Sequence, residues 1–195
     1  FKIKKFRAAA FGYFGHMWEL YTLWTFVPIL LIYFNNEHAT ELNIFIWTFA
    51  VIAAGGIGCI VGGLVSNKVG SANVAFTNLL LSGVCCLISP LIFSTTAFIF
   101  VTFLIFWGIV VAGDSPQFST IIALSAPKEL VGSALTIVNS IGFAITIVSL
   151  WVIYQIYGIV IAPYYLIFLS LGPLFGLVSM RILLTVEKSS QASIN

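Results

Sequence analysis

Four polar side chains lie within apolar stretches of this chain, and their functional groups could bind protons or polar solutes. His16 and Glu19 lie three residues apart in one stretch, and Asp114 and Gln117 lie three residues apart in another. Residues at this spacing share one face of a helix, which places His16 within hydrogen-bonding reach of Glu19. Carboxyl and imidazole groups exchange protons and bind polar solutes. The spacing therefore predicts two polar clusters suited to proton or solute binding.

The composition predicts that these clusters lie within a membrane. Of the 195 residues 61% are hydrophobic and only 7% are charged, and the mean hydropathy is +1.12. Because a soluble domain is about 25% charged, this composition excludes a water-soluble enzyme and a disordered tail. The net charge of +2 is too small to indicate a nucleic-acid partner.

The elements that must position the clusters are six apolar runs, each long enough to cross a bilayer as a helix of about 20 residues. We place them at 8–34, 44–65, 72–93, 97–123, 130–157 and 163–184. Helices are required because lipid offers no partner to open backbone groups, and the alternation typical of a transmembrane barrel is absent from the sequence. We predict an all-α polytopic bundle over 8–185, preceded by a basic linker (1–7) and followed by a tail (186–195).

The basic residues predict the orientation of the bundle. They are Lys2, Lys4, Lys5, Arg7, Lys68, Lys128, Arg181 and Lys188. With six spans, all eight fall on or beside the side that holds both termini, whereas the opposite loops carry only Glu37 and Glu41. Because basic residues favour the cytoplasmic side, we expect a multi-pass protein of the inner or plasma membrane with both termini cytoplasmic.

The predicted depth of Glu19 and Asp114 in the membrane makes these two acidic side chains energetically costly to insert. Glu19 lies about 18 Å along the helix from Arg7, and Asp114 about 15 Å from the end of its span, in a hydrocarbon layer about 30 Å thick. A central aspartate costs about 2.5–3.5 kcal/mol on insertion scales. Two interpretations stay open at this point. The polar groups either form hydrogen-bonded locks between helices or form a substrate or proton site.

Other residues in the spans carry the same two interpretations. Aromatic residues beside the His16–Glu19 face either line a cavity or pack and anchor the helix; they are Trp18, Tyr21, Trp24 and Phe26. Asn139 in the fifth span either lines the pathway or bonds to a neighbouring helix. A glycine series in the second span predicts close helix packing, with a sliding surface as the alternative; it comprises Gly55, Gly56, Gly58, Gly62 and Gly63.

The sequence lacks the motifs that several kinds of enzyme and channel require. No Gly-x-x-x-x-Gly-Lys phosphate loop is present, which argues against ATP-driven pumping. His16 and Ser115 have no glycine-flanked serine motif around them, so an intramembrane protease is disfavoured. The histidines and the three cysteines have no metal spacing, and no Gly-rich channel filter is visible. We therefore predict no enzyme activity, no metal and no cofactor.

Three motifs make the chain resemble the carboxyl-terminal half of a major facilitator superfamily transporter. Segment 12–21 (GYFGHMWELY) is similar to the start of the seventh helix in a bacterial branch of that family, and segments 114–119 (DSPQFS) and 126–132 (APKELVG) are similar to its tenth helix and the following loop. Gly63, Asn67, Lys68 and Gly70 match a weakened form of the family's gating-loop signature. Asn67 replaces an acidic residue there, so the carboxylate of the gating salt bridge is missing.

The resemblance implies a function and a partner. Such transporters contain two six-helix halves, so this chain is expected to pair with another half or with a second copy, and to form half of a twelve-helix fold. The implied activity is alternating-access transport of a small solute, coupled to protons. A membrane scaffold or assembly subunit is the alternative, and a channel is a third class. The candidate pathway residues are His16, Glu19, Tyr21, Asp114, Gln117 and Asn139.

Overall fold

The computed structural model describes residues 3–160 and 163–192, and this part of the chain is all-α without strands. The α-helices are α1 (Lys4–His38), α2 (Ile44–Val69), α3 (Ser71–Phe93), α4 (Ala97–Gly113), α5 (Ser115–Ser125), α6 (Val131–Tyr157) and α7 (Leu171–Ala192). Short 3₁₀ helices, Lys128–Leu130 and Tyr164–Ser170, precede α6 and α7. Six helical segments are long and apolar enough to cross a membrane, with α4 and α5 forming one of them. The predicted six-span membrane architecture is confirmed.

The helices extend beyond several predicted boundaries. α1 begins at Lys4, inside the segment predicted as a linker, and α7 continues to Ala192, inside the predicted tail, whose residues 193–195 lie outside the described part. The predicted loop 66–71 is wrong in extent, because α2 runs to Val69 and α3 begins at Ser71. Gly70 alone joins them with a φ of 87°, a conformation that glycine adopts without a steric penalty.

The fourth span is broken at Asp114, between α4 and α5. Pro116 lies in the first turn of α5, where proline has no N–H to donate and its ring displaces the carbonyl four residues earlier. That carbonyl belongs to Ala112, and it accepts a hydrogen bond from the Cys59 thiol of α2 at 3.4 Å. The sequence thus breaks the helix at Asp114, and α2 satisfies a freed backbone group.

The helices pack as two similar three-helix units, α1–α2–α3 and α4/α5–α6–α7. In each unit the first helix packs on the second and third helices of the other unit: α1 on α6 and α7, and α4 or α5 on α2 and α3. The third helices, α3 and α7, also pack together. Because three crossings are an odd number, the second unit begins on the opposite side of the membrane, so the two units have inverted topology.

Glycines allow the closest helix crossings. A Cβ atom placed on Gly58 of α2 would fall on the carbonyl oxygen of Ile109 of α4, and a Cβ on Gly15 of α1 would fall on the carbonyl oxygen of Gly172 of α7. Such backbone contact is typical of small residues at membrane helix interfaces. The predicted close packing of the α2 glycines is confirmed for a subset. Gly55, Gly58 and Gly62 face α4, Gly62 at its last residue Gly113, while Gly56 and Gly63 meet no described atom within 4 Å.

Replacing Ala39 with glycine is expected to increase the stability of the protein. It ends α1 with φ 48° and ψ 44°, a left-handed conformation that costs an L-residue about 1–2 kcal/mol. Glycine lacks this penalty, although it loses about 0.5–1 kcal/mol of additional chain entropy on folding. We expect Ala39→Gly to raise the free energy of unfolding by about 0.5–1 kcal/mol, measured by chemical unfolding in detergent.

The matched control for this gain is Ala53→Gly, at an exposed position within α2. It should lower the free energy of unfolding by about 1 kcal/mol, because glycine is the weaker helix former. A loss of stability in both variants would contradict the role assigned to the left-handed conformation of Ala39.

Candidate functional site

α1 buries the predicted polar face inside the bundle. His16, Glu19 and Asp114 are each exposed by 1% or less, and Gly12 and Leu23 on the same face of α1 are buried too. The predicted helical face is therefore confirmed. Because a buried charge is costly unless it is partnered, the partners of these three groups decide what they can do.

The first group, here called the glutamate cluster, comprises Glu19, Ser82, Cys86 and Trp107. Three donors converge on Glu19 Oε1: the Trp107 indole at 2.7 Å, the Cys86 thiol at 3.3 Å and the Ser82 hydroxyl. Trp107 belongs to α4, and Ser82 and Cys86 belong to α3. The other carboxyl oxygen, Oε2, has no hydrogen-bond partner among the described residues. One oxygen of Glu19 thus joins three helices, and the other remains free.

The second group is the His16–Asp114 pair. His16 Nδ1 lies 2.9 Å from Asp114 Oδ1, across the interface between α1 and the break that separates α4 from α5. His16 Nε2 has no hydrogen-bond partner within the described part of the chain. An imidazole in contact with a carboxyl group can exchange a proton with it, and it can release or accept a proton when the two groups separate.

His16 and Glu19, which their spacing places within hydrogen-bonding reach of each other, do not bond directly. Although the two residues share a face of α1, His16 meets Asp114 and Glu19 meets donors from α3 and α4. Packing explains this difference, because neighbouring helices offer each side chain a partner of complementary charge or hydrogen-bonding type.

Gln117 and Asn78 complete the polar surroundings of the break. Gln117 is buried, and a Cβ atom placed on Gly62 would lie 3.6 Å from its amide nitrogen. A Cβ atom on Gly113 would lie 2.8 Å from the amide nitrogen of Asn78. Asp114 and Gln117 therefore share a buried face, as predicted. A side chain at Gly113 would displace the Asn78 amide, whereas the Gln117 amide lies at ordinary van der Waals distance from Gly62.

A separate row of hydrogen bonds fastens α1 to α6. Ser149 donates to the carbonyl oxygen of Trp18 at 2.5 Å and accepts from Thr22 at 2.9 Å, while Thr146 donates to the carbonyl oxygen of Met17 at 2.8 Å. These contacts contain no ionisable group, and they correspond to the interhelical locks expected as one interpretation of buried polar residues.

The remaining predicted residues lie apart from both groups. The Tyr21 ring packs against Phe143 of α6 at 5.5 Å between centroids and is half-buried, and Asn139 of α6 is also half-buried. Asn67 and Lys68 lie exposed in the last turn of α2. Phe26 is a buried core residue. The structure thus separates an ionisable interior from a more open aromatic surface of α1.

The sequence analysis missed the partners of Glu19 and the amide of Asn78. Their signal was a polar stripe on α3, since Asn78, Ser82 and Cys86 recur every four residues in an apolar helix. Trp107 carried a weaker signal, because a buried indole N–H needs an acceptor. Trp107 is completely buried, and its acceptor is the glutamate.

The fold and these groups define a multi-pass α-helical membrane protein with ionisable side chains in the interior of its bundle. Comparison of the chain with models of protein families, with curated protein sequences and with solved structures found no match in any of the three. Over the residues that the structure describes, no three His, Cys, Asp or Glu side chains are grouped to hold a metal ion.

Proposed function

We propose that this chain is one six-helix half of a secondary transporter of the major facilitator type, which moves a small solute by alternating access and couples that movement to protons. The observation that carries the proposal is the complete burial of Glu19, His16 and Asp114 within spanning helices. Ionisable residues at membrane depth are expensive and mark ion, proton or substrate pathways.

The packing of the helices supports the same proposal. Inverted repeats are a common architecture of secondary transporters, and 3+3 inverted repeats are nested within each six-helix half of major facilitator carriers. The two three-helix units have this topology, and the break at Asp114 lies in the first span of the second unit. The carboxyl group of Asp114 at this break adds a buried ionisable group within the span, and such groups mark ion or substrate pathways.

In this proposal the two sides of α1 have different roles. The His16–Asp114 pair and Glu19 lie toward α3, α4 and α5, whereas Tyr21 lies beside α6. We assign proton binding to the buried side and solute contact to the surface of Tyr21, with Gln117 and Asn139 as further pathway residues. α1 then couples the two events as a rigid element.

The partner and the orientation belong to the same proposal. A second six-helix unit, either another half or a second copy, would complete the twelve-helix carrier. Among the described residues, Lys4, Lys5, Arg7, Lys68 and Lys128 lie at the end of the bundle that holds the start of α1. This distribution favours a cytoplasmic location for both termini, in an inner or plasma membrane.

A scaffold is the second candidate function, and one observation favours it. Three donors hold Glu19 Oε1 in place, as expected for a lock that joins α1, α3 and α4. In that case the buried acid would stabilise the bundle and carry no proton between compartments.

Reconstitution into liposomes tests the proposal. The protein, assembled with its other half, is placed in vesicles that contain a pH-sensitive dye, and a panel of small organic acids, amino acids and inorganic anions is added outside. We expect at least one solute to change the internal pH with a rate that saturates with solute concentration. A flux that does not saturate would indicate a channel, and no flux across a broad panel would favour the scaffold.

A further inference from the structure

Two polar atoms on adjacent turns of α1 are buried without a partner in the described structure. They are Glu19 Oε2 and His16 Nε2, and both atoms are buried. The other polar atom of each side chain is already engaged, because Glu19 Oε1 accepts from three donors and His16 Nδ1 meets Asp114. A polar atom left unpaired at this depth bears the full cost of losing its water, so an occupant that bonds to both atoms is favoured.

The positions of the two side chains suit a small polar occupant. Residues three apart on a helix have Cβ atoms about 5–6 Å apart, close enough for one molecule to touch both side chains. A buried water makes about three hydrogen bonds and acts both as donor and as acceptor. It can donate to the carboxylate oxygen Oε2 and either accept from or donate to the imidazole nitrogen Nε2.

We propose that a buried water molecule bridges Glu19 Oε2 and His16 Nε2, and that it joins the glutamate cluster to the His16–Asp114 pair as one proton relay. The relay is Glu19, water, His16 and Asp114, and it lies wholly inside this six-helix unit. The water site stands by itself, while its role in coupling rests on the proposed transport function.

The proton transfers balance at every atom. A protonated Glu19 gives its proton to the water, and the water passes another proton to His16 Nε2. His16 then releases the proton on Nδ1 to Asp114 Oδ1. One proton has left Glu19 and one has reached Asp114, and the imidazole has exchanged one neutral tautomer for the other.

Other titratable groups near the relay are thiols and one phenol. Cys86 of α3 contacts Glu19, Cys85 lies next to it in sequence, and Cys59 of α2 bonds to the carbonyl oxygen of Ala112 beside the break. The Tyr13 ring lies 5.7 Å from the His16 ring. Asp114 also acts electrostatically on Glu19 directly, so a test of the relay must separate this effect from a connection through His16.

A structure of the assembled protein in lipid nanodiscs, at a resolution that shows ordered water, tests the site directly. We expect a density peak within hydrogen-bonding distance, about 2.6–3.2 Å, of both Glu19 Oε2 and His16 Nε2. Direct contact between these two atoms without an intervening peak would overturn the proposal. A peak that appears only with added sodium and lies at shorter metal-ligand distances would replace the water with a cation and would overturn it too.

Infrared spectroscopy of the same protein tests the relay. The carboxyl bands of Glu19 and Asp114 are assigned with Glu19→Gln and Asp114→Asn and followed against pH. We expect Glu19→Gln to shift the protonation midpoint of Asp114 by about one pH unit, and His16→Gln to remove most of that coupling.

A control variant and the possible outcomes separate the relay from transport. Ser149→Ala removes a buried hydroxyl between α1 and α6 and should leave the coupling unchanged. Coupling that persists undiminished in His16→Gln would mean that Glu19 and Asp114 interact only through space, and the relay would be wrong. Because this measurement needs no solute, a bridging water and an intact relay in a protein without transport activity would contradict the proposed function alone.

Discussion

Replacing Glu19 with glutamine is expected to abolish proton-coupled uptake while the protein still folds and inserts. Glutamine has nearly the same shape as glutamate. Its amide oxygen can accept the hydrogen bonds that Trp107 and Ser82 donate to Glu19 Oε1 in the unchanged protein. The amide cannot take up a proton from solvent and deliver it elsewhere. We expect pH-driven uptake to fall by roughly 10²-fold or more, the scale on which loss of a proton-transferring group acts.

The matched control for this substitution is Glu41→Gln. Glu41 is an exposed residue between α1 and α2, and the same chemical change there should leave uptake near that of the unchanged protein. Uptake is measured at several external pH values, and membrane insertion is measured by quantitative immunoblot. Normal pH-dependent uptake by Glu19→Gln would assign Glu19 to a structural lock within a carrier and would contradict its role in proton coupling.

Adding one methyl group to Gly58 is expected to separate α2 from α4. A Cβ at this position falls on the backbone carbonyl of Ile109, which no side-chain rotation can move away. The helices must therefore shift, and overpacking of this kind costs about 2–3 kcal/mol. We expect Gly58→Ala to lower the free energy of unfolding by this amount, even though alanine is the better helix former.

Gly56→Ala isolates the effect of the crossing. Gly56 lies on the same helix as Gly58, and the substitution adds the same methyl group. A Cβ atom on Gly56 would meet no described atom within 4 Å. Its free energy of unfolding should change by less than about 1 kcal/mol. Unfolding of both variants by denaturant titration, with size-exclusion chromatography as a check of the folded state, provides the comparison. Equal effects of the two substitutions would contradict the close α2–α4 contact.

The helix boundaries show why local patterns were informative but incomplete. The break at Asp114 lies beside Gly113 and Pro116, two residue types that weaken a helix, although Pro28 lies within α1 and Pro90 within α3. The extent of α2 was less predictable, because Asn67 and Lys68 are polar residues typical of a loop. They lie instead in the last helical turn, where a basic residue interacts favourably with the helix dipole.

The hydrogen-bond partners within the candidate site were less predictable from the sequence than the helix boundaries. Helical spacing placed His16 and Glu19 on one buried face, and the structure agrees. The same spacing placed them within hydrogen-bonding reach of each other, but each side chain bonds to a partner on another helix. Trp107 lies 88 residues from Glu19 in the chain, and no local pattern relates residues so far apart.

By itself the sequence determined the all-α class, the six apolar spans and the burial of three ionisable side chains. These properties follow from the local balance of apolar and polar residues and from the cost of open backbone groups in lipid. Only the tertiary structure decided that Glu19 meets Trp107 and that His16 meets Asp114. Such contacts depend on how whole helices cross, and backbone approaches such as that of Gly58 to Ile109 set those crossings.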